Sequence, residues 1–423
     1  MSNPAEAPFS AAAQAILNDL EQHREKDIRW RDGKAFSLTY CASDDARNLS
    51  ETAYRMFSHE NALNVAAFPS LKKMQQEVLD FVMQLLEAPP TGAGFMTSGG
   101  TESLVLVVYG ALQRAIAQRG TERPQTQRFN VVLPSSAHAA LEKGCTYFNV
   151  EARRVPVRAD WRADEEAMIA ACDDNTILVA CSAPQYPQGV VDPLERIGAE
   201  TLRRGIPFHV DACMGGMLLP FLAPSNLPWN FSVPGVTSMS VDLHKYGYTA
   251  KGSGVIVYAN KELRQHQTFF TDNWLGGMYG SSGILGTKSG GPIASSWAMV
   301  QYFGVEGYRN LALTARKVAL QIARHIDAIP ELQMRAEPDT TLLCIGARNP
   351  ESLSIFAVAR ELRGNGWYVD EQTPPDSMHL TVNVVHENRV DEFVADLVAA
   401  VKKAVNAEPN KDGGSAPLPY GSV

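Results

Sequence analysis

Four short stretches of this chain carry residues whose types and spacing could do chemistry. The first, "SVDLHKYGYTAKGSGVIVYAN" from Ser240 to Asn260, sets Lys245 between two short apolar runs, Val233 to Met239 and Val255 to Tyr258. Both runs read as buried strands. A lysine at such a junction is either a solvated turn residue or a desolvated amine. Desolvation favours the neutral form, which is the form Schiff-base chemistry uses. The second stretch, "FMTSGGTESLVLVVYGA", puts Ser98, Gly99, Gly100 and Thr101 directly before an apolar helix. Backbone N–H groups at a helix start, flanked by glycines and hydroxyls, suit a phosphate group, and the same residues serve a plain helix cap. In the third, "IPFHVDACMGG", Asp211 follows a strand and precedes glycines. Open α/β sheets bind ligands at that edge, and a carboxylate there also caps turns. The fourth, "LPSSAHAALEKGC", places His138 after another strand, as a site residue or a cap, whereas His209 points into the protein body. Neither a Walker P-loop nor a GxGxxG fingerprint is present.

Together the four change what each means alone. An anion cradle, an imidazole after a strand, a carboxylate after a strand and a lysine in a buried setting are the parts pyridoxal 5'-phosphate needs. Asp211 would keep the ring nitrogen protonated, so that the ring accepts electrons when a bond at the substrate Cα breaks. Lys245 would make the covalent attachment. Lys251 adds a nearby cation, which lowers the pKa of Lys245 and favours its free amine. A cofactor-binding scaffold without turnover is the rival from another class, but a scaffold has no need of a Schiff-base lysine.

The elements that must position these residues alternate along the chain. Helical patterns run from Ala11 to Arg24, Arg47 to His59 and Leu71 to Leu86. From there helices at Glu102 to Gln118 and Pro193 to Arg204 alternate with strands at Asn130 to Leu133, Ile177 to Ala183, Pro207 to Val210, Gly235 to Ser240 and Gly254 to Tyr258. That alternation predicts an α/β fold with a mainly parallel sheet buried on both faces. A long helix, Gly307 to Ile329, leads into a smaller α+β unit with strands at Thr341 to Ile345 and Met378 to Val385 and helices at Leu353 to Arg363 and Val390 to Val405. The expected division is an N-terminal helical segment over 1–65, a large domain over 66–310, a small C-terminal domain over 311–406 and a mobile tail over 407–423. With 423 residues, 45% hydrophobic and 20% charged, the composition is globular. A net charge of −8 argues against nucleic acid or an anionic membrane as a general partner. Six scattered cysteines without a CxxC pair suit reduced thiols, and the first residues lack the basic-then-apolar order of a signal peptide. A cytoplasmic protein without a stable membrane anchor is expected.

The chain also resembles a known family. The motifs "FPSLKKMQQEV", "TSGGTES", "SAHAALEK", "SAPQYPQGVVDP", "HVDACMGG", "DLHKYGYTAKGS" and "DNWLGGMYGSSGILGTKSGG" resemble sphingosine-1-phosphate lyases. These belong to the group II decarboxylase branch of the fold-type I (aspartate-aminotransferase-like) pyridoxal phosphate enzymes. The resemblance implies that Lys245 forms the Schiff base, Asp211 pairs with the pyridinium nitrogen and His138 stacks on the ring. It implies that Gly100, Thr101 and His244 hold the cofactor phosphate, with Gly286 and Thr287 reaching the same phosphate from the second subunit of a homodimer. Tyr40, Lys251 and Tyr186 match positions lining the substrate's phosphate and reacting hydroxyl, and Asn61 is kept. Asn64 stands where the family has a histidine that helps bind the substrate phosphate, and it can donate a hydrogen bond but carries no charge. That exchange costs about 1–2 kcal/mol of substrate binding. The implied reaction is retro-aldol cleavage of the Cα–Cβ bond of a sphingoid base 1-phosphate. Its base is either Tyr186 or a cofactor-phosphate oxygen relayed through His244. The alternative activity is decarboxylation of an amino acid, with Lys251 as partner of the carboxylate.

Overall fold

The computed structural model of the chain describes residues 9–119, 128–222 and 227–406, so the tail 407–423 lies outside the described residues. The large sheet has seven strands: β1 (Ala93–Thr97), β2 (Asn130–Pro134), β3 (Glu151–Val155), β4 (Thr176–Ser182), β5 (Phe208–Asp211), β6 (Val236–Asp242) and β7 (Gly254–Tyr258). Their spatial order is β1-β7-β6-β5-β4-β2-β3. Neighbours from β6 through β3 pair in parallel, and β7 runs antiparallel to both β6 and β1. Strands β2, β4, β5 and β7 are buried at every position, as strands covered by helices on both faces must be. Because β2, β4, β5 and β6 are parallel, their carboxyl ends meet along one edge. Asp211 is the last residue of its strand, and His138, Tyr186 and Lys245 follow the ends of theirs.

The covering helices obey the same logic. Leu194–Arg204 buries Leu194, Ile197, Gly198 and Thr201, the spacing of one helical face, and stops at Gly205, whose φ of 68° is left-handed. The long helix begins at Gly291, well before the expected Gly307, and runs to Asp327 with a break at Gly304, φ 54°. That left-handed glycine divides the helix, and the half before it, which the sequence reading did not anticipate, starts at Gly291. Two strands of the large sheet escape sequence reading. In β1, Gly94 interrupts the apolar run because Leu79 fills the space where its Cβ would lie, at 2.8 Å. At the sheet edge, β3 reads Glu-Ala-Arg-Arg-Val and buries only its last residue.

A second sheet of β10 (Leu332–Met334), β11 (Leu342–Ala347), β12 (Asp370–Gln372) and β13 (Ser377–Thr381) is antiparallel throughout, in the order β10-β11-β13-β12. A two-stranded hairpin, β8 (Phe269–Thr271) with β9 (Tyr279–Ser281), precedes the long helix. Strand β13 ends at Thr381, short of the expected Val385. Asn383 accepts from Val385 N and pairs reciprocally with His386, which starts a 3-10 helix over Val384–Arg389.

The core around the second sheet takes Val318, Ile322 and Ile326 from the long helix, and Trp367 and Phe393 from the C-terminal part. It also takes Phe36, from far upstream. The Phe36 ring is fully buried, stacks on His386 at 4.2 Å and meets Phe393 at 4.6 Å. Its backbone joins the same unit, with Phe36 N donating to Tyr368 O and Thr381 N donating to Phe36 O. Phe36→Ala therefore removes a ring from the second core rather than from a peripheral segment. A loss of about 3–5 kcal/mol is expected, read as a lower urea midpoint in tryptophan fluorescence, to which Trp367, 5.7 Å from Phe36, contributes. An unchanged midpoint would mean that the contact contributes nothing.

Candidate active site

Strand β6 ends at Asp242, and the chain turns through Lys245 before returning as β7. The loop is closed at its base by His244 N donating to Ser253 O and Ser253 N donating to His244 Nδ1, each at 3.1 Å. Two tyrosines pin it from outside. The Tyr246 hydroxyl donates to Val382 O at 2.9 Å, and the Tyr308 hydroxyl donates to Gly247 O at 3.0 Å. Inside the turn, Lys245 Nζ lies 3.0 Å from Asp242 Oδ2. Asp242 is 3% exposed, and its Oδ1 is buried without a hydrogen-bond partner. His244 Nδ1 is used as an acceptor, so Nε2 carries the ring proton. Burial pushes the His244 pKa down, so the ring is a neutral donor at neutral pH.

The turn Ser98–Gly99 joins β1 to the helix Gly100–Arg119 and packs directly on this loop. A Cβ on Gly99, which has φ +145°, would lie 2.7 Å from His244 Cε1, and one on Gly100 would lie 2.7 Å from Cys213 Sγ. The backbone can approach here only because both residues are glycine. Glu102 fixes the turn. Its Oε2 accepts from Ser98 N at 2.6 Å, and its Oε1 accepts from Ile284 N at 2.8 Å. The first-turn N–H groups of the helix, which have no acceptor within a helix, start at this point.

Asp211 ends β5 and is buried. Cys213 N donates to its Oδ1 at 3.0 Å and Ser240 Oγ at 3.2 Å. Burial raises its pKa, but His138, the thiol and N–H of Cys213, and His209 together outweigh burial and hold the carboxyl below its usual range. His138 caps the helix Ala139–Tyr147, with Nδ1 accepting from Ala140 N at 3.1 Å. Burial pushes its pKa down against a smaller upward pull from Asp211, which leaves a neutral ring. His209 is fully buried between Ser238 and Ser240, away from the cavity lining.

These groups enclose a cavity of about 270 Å³ lined by Gly99, Gly100, Thr101, His138, Tyr186, Asp211, His244 and Lys245 among others. Tyr186 closes one flank, its hydroxyl donating to Asp370 Oδ2 at 2.7 Å and its ring 4.1 Å from His379. On another flank, joined through His244, a second cavity of about 310 Å³ is lined by Tyr40 and Lys251. Lys251 Nζ lies 5.1 Å from the centre of the Tyr40 ring and donates to His244 O at 3.3 Å. Desolvation, then the Lys245 charge, lower the Lys251 pKa to about 8. Four expected site residues lie elsewhere in this chain. Asn61 Nδ2 donates to Thr287 Oγ1 at 3.4 Å, Asn64 Oδ1 accepts from Ala66 N, and neither of them, nor Gly286 or Thr287, lines the reaction cavity. Thr287 faces a further cavity of about 300 Å³, which shares Ser98 with the reaction cavity and Lys251 with the second.

The residues present fit pyridoxal phosphate. A helix start with two obligatory glycines suits the phosphate, an ionised buried carboxylate suits the ring nitrogen, and a lysine beside a carboxylate with one unpartnered oxygen suits the covalent attachment. Sequence reasoning missed Asp242, Glu102, Asp370 and His379. The Asp-Leu-His-Lys spacing, one turn from carboxylate to amine, could have indicated Asp242. The pair Asp370–His379, neighbours across β12 and β13, meets Tyr186 only through the tertiary fold.

Residues 2–348 match the family model of the pyridoxal-dependent decarboxylase conserved domain. The sphingosine-1-phosphate lyase of Oryza sativa is 35% identical over 430 residues, 99% of this chain and 78% of that protein. The corresponding protein of Rattus norvegicus is 32% identical, over 96% of this chain and 71% of its own. Among solved structures, the Burkholderia pseudomallei sphingosine-1-phosphate lyase superposes with a TM-score of 0.87 at 30% identity, covering 96% of this chain and 93% of that one. A Lactobacillus brevis glutamate decarboxylase superposes with a TM-score of 0.84 at 19% identity, covering 97% and 96%, and so shares the fold.

Gly99→Ala tests the cradle. The added Cβ meets His244 in a backbone region that alanine resists. Affinity for pyridoxal phosphate should fall at least about tenfold, equivalent to ~1.4 kcal/mol, in an absorbance titration of the apo-protein. Unchanged affinity would show that the phosphate sits elsewhere.

Proposed function

This chain belongs to the sphingosine-1-phosphate lyases within the pyridoxal-dependent decarboxylase family, and on that premise we propose how its own residues cleave the Cα–Cβ bond of sphingoid base 1-phosphates. The products are a long-chain aldehyde and phosphoethanolamine. The observation that carries the mechanism is the Tyr186–Asp370 hydrogen bond on the flank of the cavity that holds Lys245.

When bound, pyridoxal phosphate supplies the electron sink that takes up the electron pair of the broken Cα–Cβ bond. Lys245 Nζ would hold the cofactor, the helix start at Gly100 and Thr101 together with His244 Nε2 would hold its phosphate, and Asp211 would keep a proton on its ring nitrogen. His138 presents a neutral ring face to the cavity. Tyr186 takes the proton of the substrate's 3-hydroxyl while passing its own to Asp370 Oδ2, so the hydroxyl oxygen becomes the aldehyde oxygen. After the aldehyde leaves, Lys245 Nζ returns a proton to Cα. Tyr40 and Lys251 bind the substrate phosphate in the cavity joined through His244.

The working unit in this reading is a homodimer that places the loop bearing Gly286 and Thr287, and the segment bearing Asn61 and Asn64, at the partner's site. Supporting it, the stretch before that loop exposes Trp274, Leu275, Met278 and Ile284, an apolar surface that a second copy would cover. The compartment is the cytoplasm, in keeping with six cysteines that are all free thiols. Among the described residues, no helix is long and apolar enough to cross a membrane.

The deciding assay is aldehyde release from sphingosine 1-phosphate and from unphosphorylated sphingosine. Release from the phosphorylated lipid is expected, with a preference for it. Release of CO₂ from an amino acid, without aldehyde from either lipid, would instead make the chain a decarboxylase. The pH dependence follows from Lys251. It is charged below about 8 and loses its charge above, so KM for the phosphorylated substrate should rise as pH passes that value. KM for the unphosphorylated lipid should not follow. Parallel changes in both would remove Lys251 from phosphate binding.

A further inference from the structure

A cavity of about 590 Å³ adjoins the reacting centre on a flank other than that of Lys251, and shares His138 and Tyr186 with it. One wall comes from the loop after β2 with Val157 and Trp161, the other from the β12–β13 turn at Thr373 and Pro374. Its volume lies within the roughly 300–1,000 Å³ usual for ligand sites.

Several polar side chains on these walls are engaged by the protein itself. Gln188 Oε1 accepts from Gln185 Nε2 at 2.9 Å, and Thr373 Oγ1 donates to Asp376 at 2.7 Å. Ser377 Oγ donates to Pro375 O at 2.9 Å, and Glu371 Oε1 accepts from Arg363 at 2.5 Å. The Trp161 indole N–H donates to Arg335 O at 2.8 Å, which fixes the ring. A ligand that needed many hydrogen bonds would find few partners here, whereas one offering CH₂ groups finds Val157, Trp161, Pro187 and Pro374. Ser136, 7% exposed, has a buried Oγ without a partner and precedes His138 closely in the chain.

We infer that this cavity holds the hydrocarbon chain of the substrate. The inference rests on the lyase reading and adds to it the place of the lipid tail. In a sphingoid 1-phosphate the phosphate hangs from C1 and the tail from C3, on either side of the amine-bearing C2. The two ends must therefore leave the reacting centre by different flanks. Lys251 and Tyr40 occupy the flank joined through His244. C3 carries both the reacting hydroxyl and the tail, so the tail starts where the hydroxyl's partner Tyr186 stands. Tyr186 lines both the reaction cavity and the 590 Å³ cavity.

The test compares eighteen-carbon with eight-carbon sphingoid 1-phosphates. In the unaltered protein, kcat/KM should rise by up to about fourfold for each methylene withdrawn from water. Val157→Trp, which fills the cavity, and Thr373→Glu, which charges its rim, should each cut the ratio of long-chain to short-chain kcat/KM at least tenfold. The ratio is taken within one variant, so partial misfolding cancels. Ratios equal to that of the unaltered protein in both variants would overturn the inference while the lyase reading stands. Calorimetric titration of the apo-protein with decanol needs no turnover. Binding by the unaltered protein that is lost in Val157→Trp supports the cavity, and no binding overturns it. Absence of aldehyde from every chain length is the separate failure of the lyase reading, and the decanol result then decides the cavity alone.

Discussion

The site depends on a charge pair drawn out of water at the end of β6, where Lys245 Nζ meets Asp242 Oδ2. Such a pair persists only with good geometry, and deleting one partner costs about 3–5 kcal/mol because the other charge is stranded. Keeping the geometry dictates the neighbours. A Cβ on Gly100 would come within 3.0 Å of Asp242 Oδ2, and one on Gly254 within 3.0 Å of Oδ1. The glycines at the start of the helix and of β7 thus make room for a carboxylate as well as for a phosphate. The same pair reaches outward, because the Lys245 charge lowers the pKa of Lys251 while the Asp242 charge opposes it.

Much of the cavity wall was legible because parallel strands deliver their carboxyl ends to one edge. Lys245, Asp211 and His138 could be placed from the short apolar runs that precede them. The open alternatives at His138 and Asp211 turned out not to compete. His138 caps its helix through Nδ1, and Asp211 Oδ1 accepts from Cys213 N, yet both residues line the cavity. Residues that depend on chain-distant packing were out of reach. Asp370 and His379 sit in strands of the second sheet, and no local pattern tells that β12 and β13 meet Tyr186. Strands β1 and β3 were obscured by a glycine packed on Leu79 and by an edge position that leaves four of five residues short of full burial.

The fold by itself does not choose which bond breaks. A glutamate decarboxylase shares it at 19% identity, so the choice falls to side chains around the common cavity. In this chain those come from both cores. The large sheet supplies the lysine and the carboxylates at its edge, and the second sheet with its flanking residues supplies the partner of Tyr186 and the anchors of Tyr246. The long helix broken at Gly304 belongs to both cores, since it buries Ile293 and Ala312 with the first and Val318 and Ile326 with the second.

The seat of Phe36 also bears on how the chain is made. Its ring, the bond from His386 to Ala35 O across 351 residues and the Lys34–Glu392 pair across 358 residues all join an early segment to the C-terminal part of the chain. On a ribosome adding about 5–20 residues per second, this segment emerges tens of seconds before its partners exist. The large sheet is complete at Tyr258, so it can form while the early segment is still unpaired. Docking of Phe36 then closes the molecule only after Phe393 has left the exit tunnel, which makes a segment synthesised early one of the last to find its place.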